Sequence, residues 1–103
     1  MPGFAEQMQA YQAAMIRLGR HLMGLLAMSV ELPYSYFRSG LGQPQCGVRL
    51  LRYPRQPAGA PGNLLGAGAH TDWGSITILL QGGIAGLEVR NADGDWIAAT
   101  PIP

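Results

Sequence analysis

The sequence has no lysine at all, a single cysteine and only two histidines among 103 residues. Each scarcity excludes something. Cys46 alone cannot close an internal disulfide, and zinc sites built from several cysteines are ruled out. The seven basic residues are all arginines, scattered from Arg17 to Arg90, and the formal net charge is +1. A chain so near neutral, with no basic stripe, lacks the electrostatic footprint of a nucleic-acid binder. Charged residues make up only 13% of the chain, which leaves little material for a fully solvated surface. Long apolar runs are missing too. The longest, LMGLLAMSV at 22–30, is too short to span a bilayer, so no membrane partner is expected. The segment before it is too long and too amphipathic to be the n-region of a signal peptide, and a cytoplasmic location is expected.

What is present is organised. Apolar residues make up 48% of the chain, which argues against disorder. Phe4, Met8, Tyr11, Met15, Leu18, Leu22 and Leu25 recur at alternating spacings of four and three. That period predicts one long helix over residues 3–31, inside an N-terminal unit of residues 1–32, stopped by Pro33. Residues 33–45 hold two prolines and two glycines and read as a connection. Strands are predicted at 46–54, at 76–81, at 86–90 and from Trp96 onward. A Gly/Pro/Ala-rich loop covers 55–69, with a short extended end near Ala67–Ala69. Gly82-Gly83 reads as a turn, and Asp93-Gly94 as the turn of a hairpin. No internal repeat is present. The expected class is α+β: a long helix followed by an incomplete antiparallel sheet over 46–103, whose open edges invite self-association.

The chemistry concentrates in HTDWGSITILLQ, residues 70–81. His70 and Asp72 are two apart. In a strand they would share a face and could converge on one divalent ion. Two histidines and one carboxylate form the facial triad of non-haem Fe(II) oxygenases. Trp73 and Ile76 are expected to shield the pair from water. The pair by itself is a weak signal, since a His–Asp hydrogen bond near a strand end accounts for it equally. Ser75 completes a hydrolase set by composition, but three residues within six positions of one strand do not form a nucleophile–base–orienter chain.

The context is more specific. RLLRYP at 49–54, HTDWGSITILLQ at 70–81, GLEV at 86–89 and DWIAATPIP at 95–103 occur in the order and spacing of a known family. The segment from Val48 to Pro101 resembles the isopenicillin N synthase-like family of Fe(II)/2-oxoglutarate-dependent dioxygenases. The long helix also stands where that family places one. The resemblance implies a double-stranded β-helix (jelly-roll) fold. It also implies Fe(II) as metal, 2-oxoglutarate and O2 as co-substrates, and hydroxylation or desaturation of a small organic substrate. His70 and Asp72 match the first two iron ligands. Tyr53 matches a tyrosine near the co-substrate, though a half-buried strand aromatic is the alternative. Trp73, Ile78 and Leu80 are expected in the core or pocket wall, and Glu88 is expected to face solvent.

Two parts of the family pattern are not among the 103 residues: a distal third ligand histidine, and an Arg-x-Ser pair that grips the 2-oxoglutarate carboxylate. His21 lies on the helix flank and is no substitute. Glu88, Asp93 and Asp95 could supply an oxygen, but the two aspartates read as turn residues. Arg38-Ser39 is adjacent rather than spaced, and Gly82-Gly83 stands where the family often has acidic residues. The expectation is therefore the front part of such a domain, inactive by itself, with no residue assigned to catalysis beyond metal and co-substrate binding. The alternative is a non-catalytic metal-binding or self-associating remnant. The substrate is not legible.

Overall fold

The computed structural model describes residues 2–62 and 65–102. The loop expected at 55–69 therefore lies outside the described residues at positions 63 and 64.

Helix α1 runs Phe4–Ser29, 26 residues and about 39 Å at 1.5 Å per residue. A turn over 34–37 and a short 3-10 helix, Arg38–Leu41, follow. Strands β1, Glu88–Arg90, and β2, Trp96–Ala98, pair antiparallel with Glu88 opposite Ala98, Val89 opposite Ile97 and Arg90 opposite Trp96. The class is α+β, as the periodicities predicted. Among the described residues the sheet has two strands. Among the described residues, no helix is long and apolar enough to cross a membrane.

The helix ends four residues before Pro33. Leu32 N–H reaches Ala27 O at 2.9 Å and Glu31 N–H reaches Met28 O at 3.1 Å. Those are the two bonds of a Schellman cap, which puts its residue after the C-cap in the left-handed region. That residue is Glu31, with φ 63°, rather than the glycine such a position favours.

The buried line of α1 differs from the predicted one. Phe4, Tyr11, Leu18 and Leu25 are exposed. Met8, Met15 and Leu22 of that line are half-buried, while full burial falls to Met23, Gly24 and Ala27, with Gln12, Ile16 and Gly19 half-buried beside them. Close approach of other segments explains the difference. Tyr34 lies on Gly24 so tightly that a Cβ there would overlap its ring. A Cβ on Gly19 would stand 3.8 Å from Ile76 Cδ1. Gln12 Nε2 donates to Cys46 O at 2.7 Å. Arg20 donates to Leu41 O at 2.9 and 3.2 Å and to Gly42 O at 3.1 Å. The chain from 41 to 46 therefore runs back along the helix, clamped at positions 20 and 12. Small and polar residues make these contacts, and a hydropathy pattern does not register them.

The hairpin forms where Asp93-Gly94 predicted it. Asn91 N–H meets Asp95 O at 2.9 Å, Asn91 Oδ1 accepts from Asp95 N–H at 2.8 Å, and Gly94 adopts φ 94°. Two predicted strands are corrected. Residues 46–54 and 76–81 form no strand, and Ala67–Ala69 is bent rather than extended. A strand's backbone groups need a neighbouring strand, and among the described residues neither segment finds one. Gln81 comes closest: its Nε2 donates to Ala99 O at 3.1 Å, beside β2. The turn expected at Gly82-Gly83 is a bend at 83 and 84.

The result is an open molecule. Its accessible surface is 9470 Å², whereas a compact monomer of this size exposes about 5,600 Å². The radius of gyration is 17.3 Å, against about 13 Å for a compact domain of this length.

Candidate metal centre

His70 and Asp72 do not sit on a ladder-bonded strand. Residues 70–72 are irregular, and a bend over 73–75 follows, with Gly74 at φ 93°. The two side chains nevertheless converge. His70 Nε2 lies 3.4 Å from Asp72 Oδ1, with both side chains more than half exposed. On the other side of the ring, Nδ1 is 2.7 Å from the carbonyl oxygen of Gly68.

That second contact decides the tautomer. A carbonyl oxygen only accepts, so Nδ1 carries a proton and donates it. In the neutral ring Nε2 then holds a lone pair, and the lone pair faces a carboxylate oxygen. Two acceptors opposed in this way leave a place that a proton, a water or a metal ion can fill. A proton on Nε2 would serve, but 3.4 Å is long for a charge-assisted hydrogen bond, which runs about 2.7–2.9 Å. It is also a separation suited to two donor atoms that each stand about 2 Å from one ion. Imidazole nitrogen and carboxylate oxygen are the donors that divalent first-row metals accept. A ligand histidine whose other nitrogen donates to a backbone carbonyl is also the usual outer arrangement of such sites. The residues present therefore fit a divalent cation. Among the described residues, no group of three or more His, Cys, Asp or Glu side chains gathers around an ion position.

The other candidates are elsewhere. His21 is exposed on the helix flank and its Nδ1 is 2.9 Å from the Tyr34 hydroxyl, so it is tied to the turn after α1. Glu88 is exposed on β1, Asp93 lies in the hairpin turn and Asp95 follows it. Arg38 and Ser39 begin the 3-10 helix. Trp73, expected to shield the pair, is 98% exposed, and Leu80 and Ile78, expected in the core or pocket wall, are exposed as well. The bend at 73–75 turns the indole outward, and no ladder holds 76–81 against a second layer. Ile76 alone is half-buried, against α1.

Tyr53 is exposed over about half its surface and its ring lies close against Gly66. The pattern reading missed two features of this region, the Gly68 carbonyl and the Gly66 contact. Only the glycine spacing G-x-G-x-H just before the pair could have signalled them.

Residues 44–103 match the model of the 2OG-Fe(II) oxygenase superfamily. A 2-oxoglutarate-dependent dioxygenase of Didymella fabae is 40% identical over 104 residues, covering 97% of this chain and 31% of the relative. One of Monascus ruber is 38% identical over 102 residues, covering 95% of this chain and 31% of its own length. A homoarginine-6-hydroxylase of Arabidopsis thaliana is 36% identical over 104 residues, again covering 97% of this chain and 31% of the relative. No solved structure matches significantly. The chain belongs to the 2OG-Fe(II) oxygenase superfamily, for which a jelly-roll fold is implied. It spans about a third of the length of the curated relatives it matches.

Proposed function

We propose that this chain is part of a non-haem Fe(II)- and 2-oxoglutarate-dependent oxidoreductase, with His70 and Asp72 as two of the protein's iron ligands. The carrying observation is the opposition of the His70 Nε2 lone pair and the Asp72 carboxylate at 3.4 Å, with Nδ1 held by Gly68. His70 would bind through Nε2, and Asp72 would bind while cancelling part of the ion's charge. Gly68 would keep the ring from rotating and keep the proton on Nδ1. When bound there, Fe(II) with 2-oxoglutarate and O2 would supply the oxidising chemistry for hydroxylation or desaturation of a small organic substrate. The name of the Arabidopsis relative, a hydroxylase of homoarginine, supports a substrate of that class. Tyr53 would lie beside the co-substrate. Residues 1–32 serve as the helical support, and 46–103 as the first part of a jelly roll that is incomplete within this chain. A cytoplasmic location belongs to the same proposal and rests on the composition.

The open surface favours a second element of the reading: by itself the chain binds metal and associates, but does not turn over. Its surface exceeds that of a compact monomer by roughly two-thirds, and two side chains leave a metal weakly held.

The test is anaerobic Co(II) titration, a spectroscopic stand-in for Fe(II), together with succinate release from 2-oxoglutarate under Fe(II) and O2. Wild type should give a Co(II) absorption band that His70→Ala and Asp72→Ala each abolish, with no succinate above background. A band indifferent to both substitutions would sink the ligand assignment, and robust succinate release would sink the inactivity.

A further inference from the structure

The contact between Tyr53 and Gly66 carries an inference about how His70 is aimed. A Cβ built on Gly66 would lie 2.8 Å from Tyr53 Cδ1, 3.2 Å from Cγ and 3.3 Å from Cε1. No side chain fits there unless the ring moves. Pro54 restricts the backbone of Tyr53 to extended conformations, so relief of the overlap falls to the ring's own torsions or to the loop. Gly66 is not among the residues with positive φ, so its backbone does not require glycine. The missing side chain is what the contact requires. Two residues on, the Gly68 carbonyl accepts the Nδ1 proton of His70 at 2.7 Å.

We propose that Gly66 is a positioning residue for the metal centre: by seating the Tyr53 ring it fixes the 66–68 loop, whose Gly68 carbonyl aims His70 Nε2 at Asp72. The inference rests on the metal-binding reading and deepens it. One aromatic ring then sets both ends of the site, the expected co-substrate side through its own position and the metal side through the loop. A side chain at 66 displaces either the ring or the loop, and in both cases the Gly68–His70 bond is lost and the imidazole is free to turn.

The experiment is anaerobic Co(II) titration of the full chain, followed by its visible absorption, paired with nitrogen chemical shifts of the His70 ring in the metal-free protein. Gly66→Ala should weaken Co(II) binding by about tenfold, the low end for loss of an outer-shell support. It should also convert the ring from a pure Nδ1–H tautomer to a mixture. Gly62→Ala is the control, since a Cβ there meets nothing within 4 Å and its φ is not positive; it should change neither readout. In a Tyr53→Ala background, Gly66→Ala should have no further effect. Unchanged Co(II) binding in Gly66→Ala, with binding abolished in His70→Ala, overturns this inference and leaves the metal reading standing. A Gly66→Ala loss that persists undiminished without the Tyr53 ring also overturns it. Unchanged binding in His70→Ala overturns the metal reading and this inference with it.

Discussion

The helical half of the molecule and the strand-rich half were equally well marked in the sequence, and they folded to very different extents. Residues 4–29 make a continuous helix within a residue or two of the predicted limits. From 46 to 102 several strands were predicted, and among the described residues two of three residues each formed. A helix closes its hydrogen bonds four residues away, inside its own segment. A strand's hydrogen bonds lie on another strand, which can be any distance away in the chain. The segment ITILLQ has the stronger β-propensity, yet EVR and WIA pair because a five-residue turn brings them together. Local chemistry delivered partners to the hairpin but none to 46–54 or 76–81.

The sharpest way to break this comparison is through the uncovered surface. Trp73, Leu80, Ile84 and Ile102 are each more than four-fifths exposed. At about 25 cal/mol per Å² of apolar surface, such exposure drives association. Sedimentation at micromolar concentration should show oligomers, and replacing Leu80 and Ile84 by aspartate should shift the distribution toward monomer while leaving the helical circular-dichroism signal intact. A wild-type monomer with a cooperative thermal transition would mean that the strand-rich half is complete as it stands.

The helical half is tested at its tightest contact. Gly24→Val should destabilise the helix and its following turn by about 3 kcal/mol, the upper range for overpacking, because Tyr34 has no room to yield without releasing His21. Chemical denaturation followed at 222 nm measures it, and an unchanged midpoint would show that Tyr34 does not rest on the helix. A smaller effect of opposite sign is expected at the C-cap. Glu31→Gly should stabilise the helix end by about 1 kcal/mol, since it relieves the left-handed strain of a residue with a side chain. A loss of stability there would mean that the Glu31 side chain holds something worth more than the strain.

The candidate site was legible as a pair and not as an arrangement. His70 and Asp72 stood out because histidine is scarce and the spacing is short. The reason they meet was misjudged: a shared strand face was expected, and an irregular segment with a hydrogen bond to Gly68 brings them to 3.4 Å. Trp73 shows the same limit from the other side. Its neighbours in sequence suggested a shield, and a single bend at Gly74 leaves it in solvent. The covered face of α1 only partly follows the hydropathy line, because Gly19, Gly24 and Gln12 contribute contacts without contributing hydropathy.

Sequence alone determined the α+β class, the helix and its stop before Pro33, the Asp93-Gly94 hairpin, the family, and the two donors of the candidate site. All of these depend on residues a few positions apart, or on an order of short motifs along the chain. Tertiary structure decided which face of the helix is covered, how 41–46 is clamped by Arg20 and Gln12, and which ring lies against position 66. Those depend on where distant backbone passes close to a given atom, and the period of a hydropathy pattern holds no record of it.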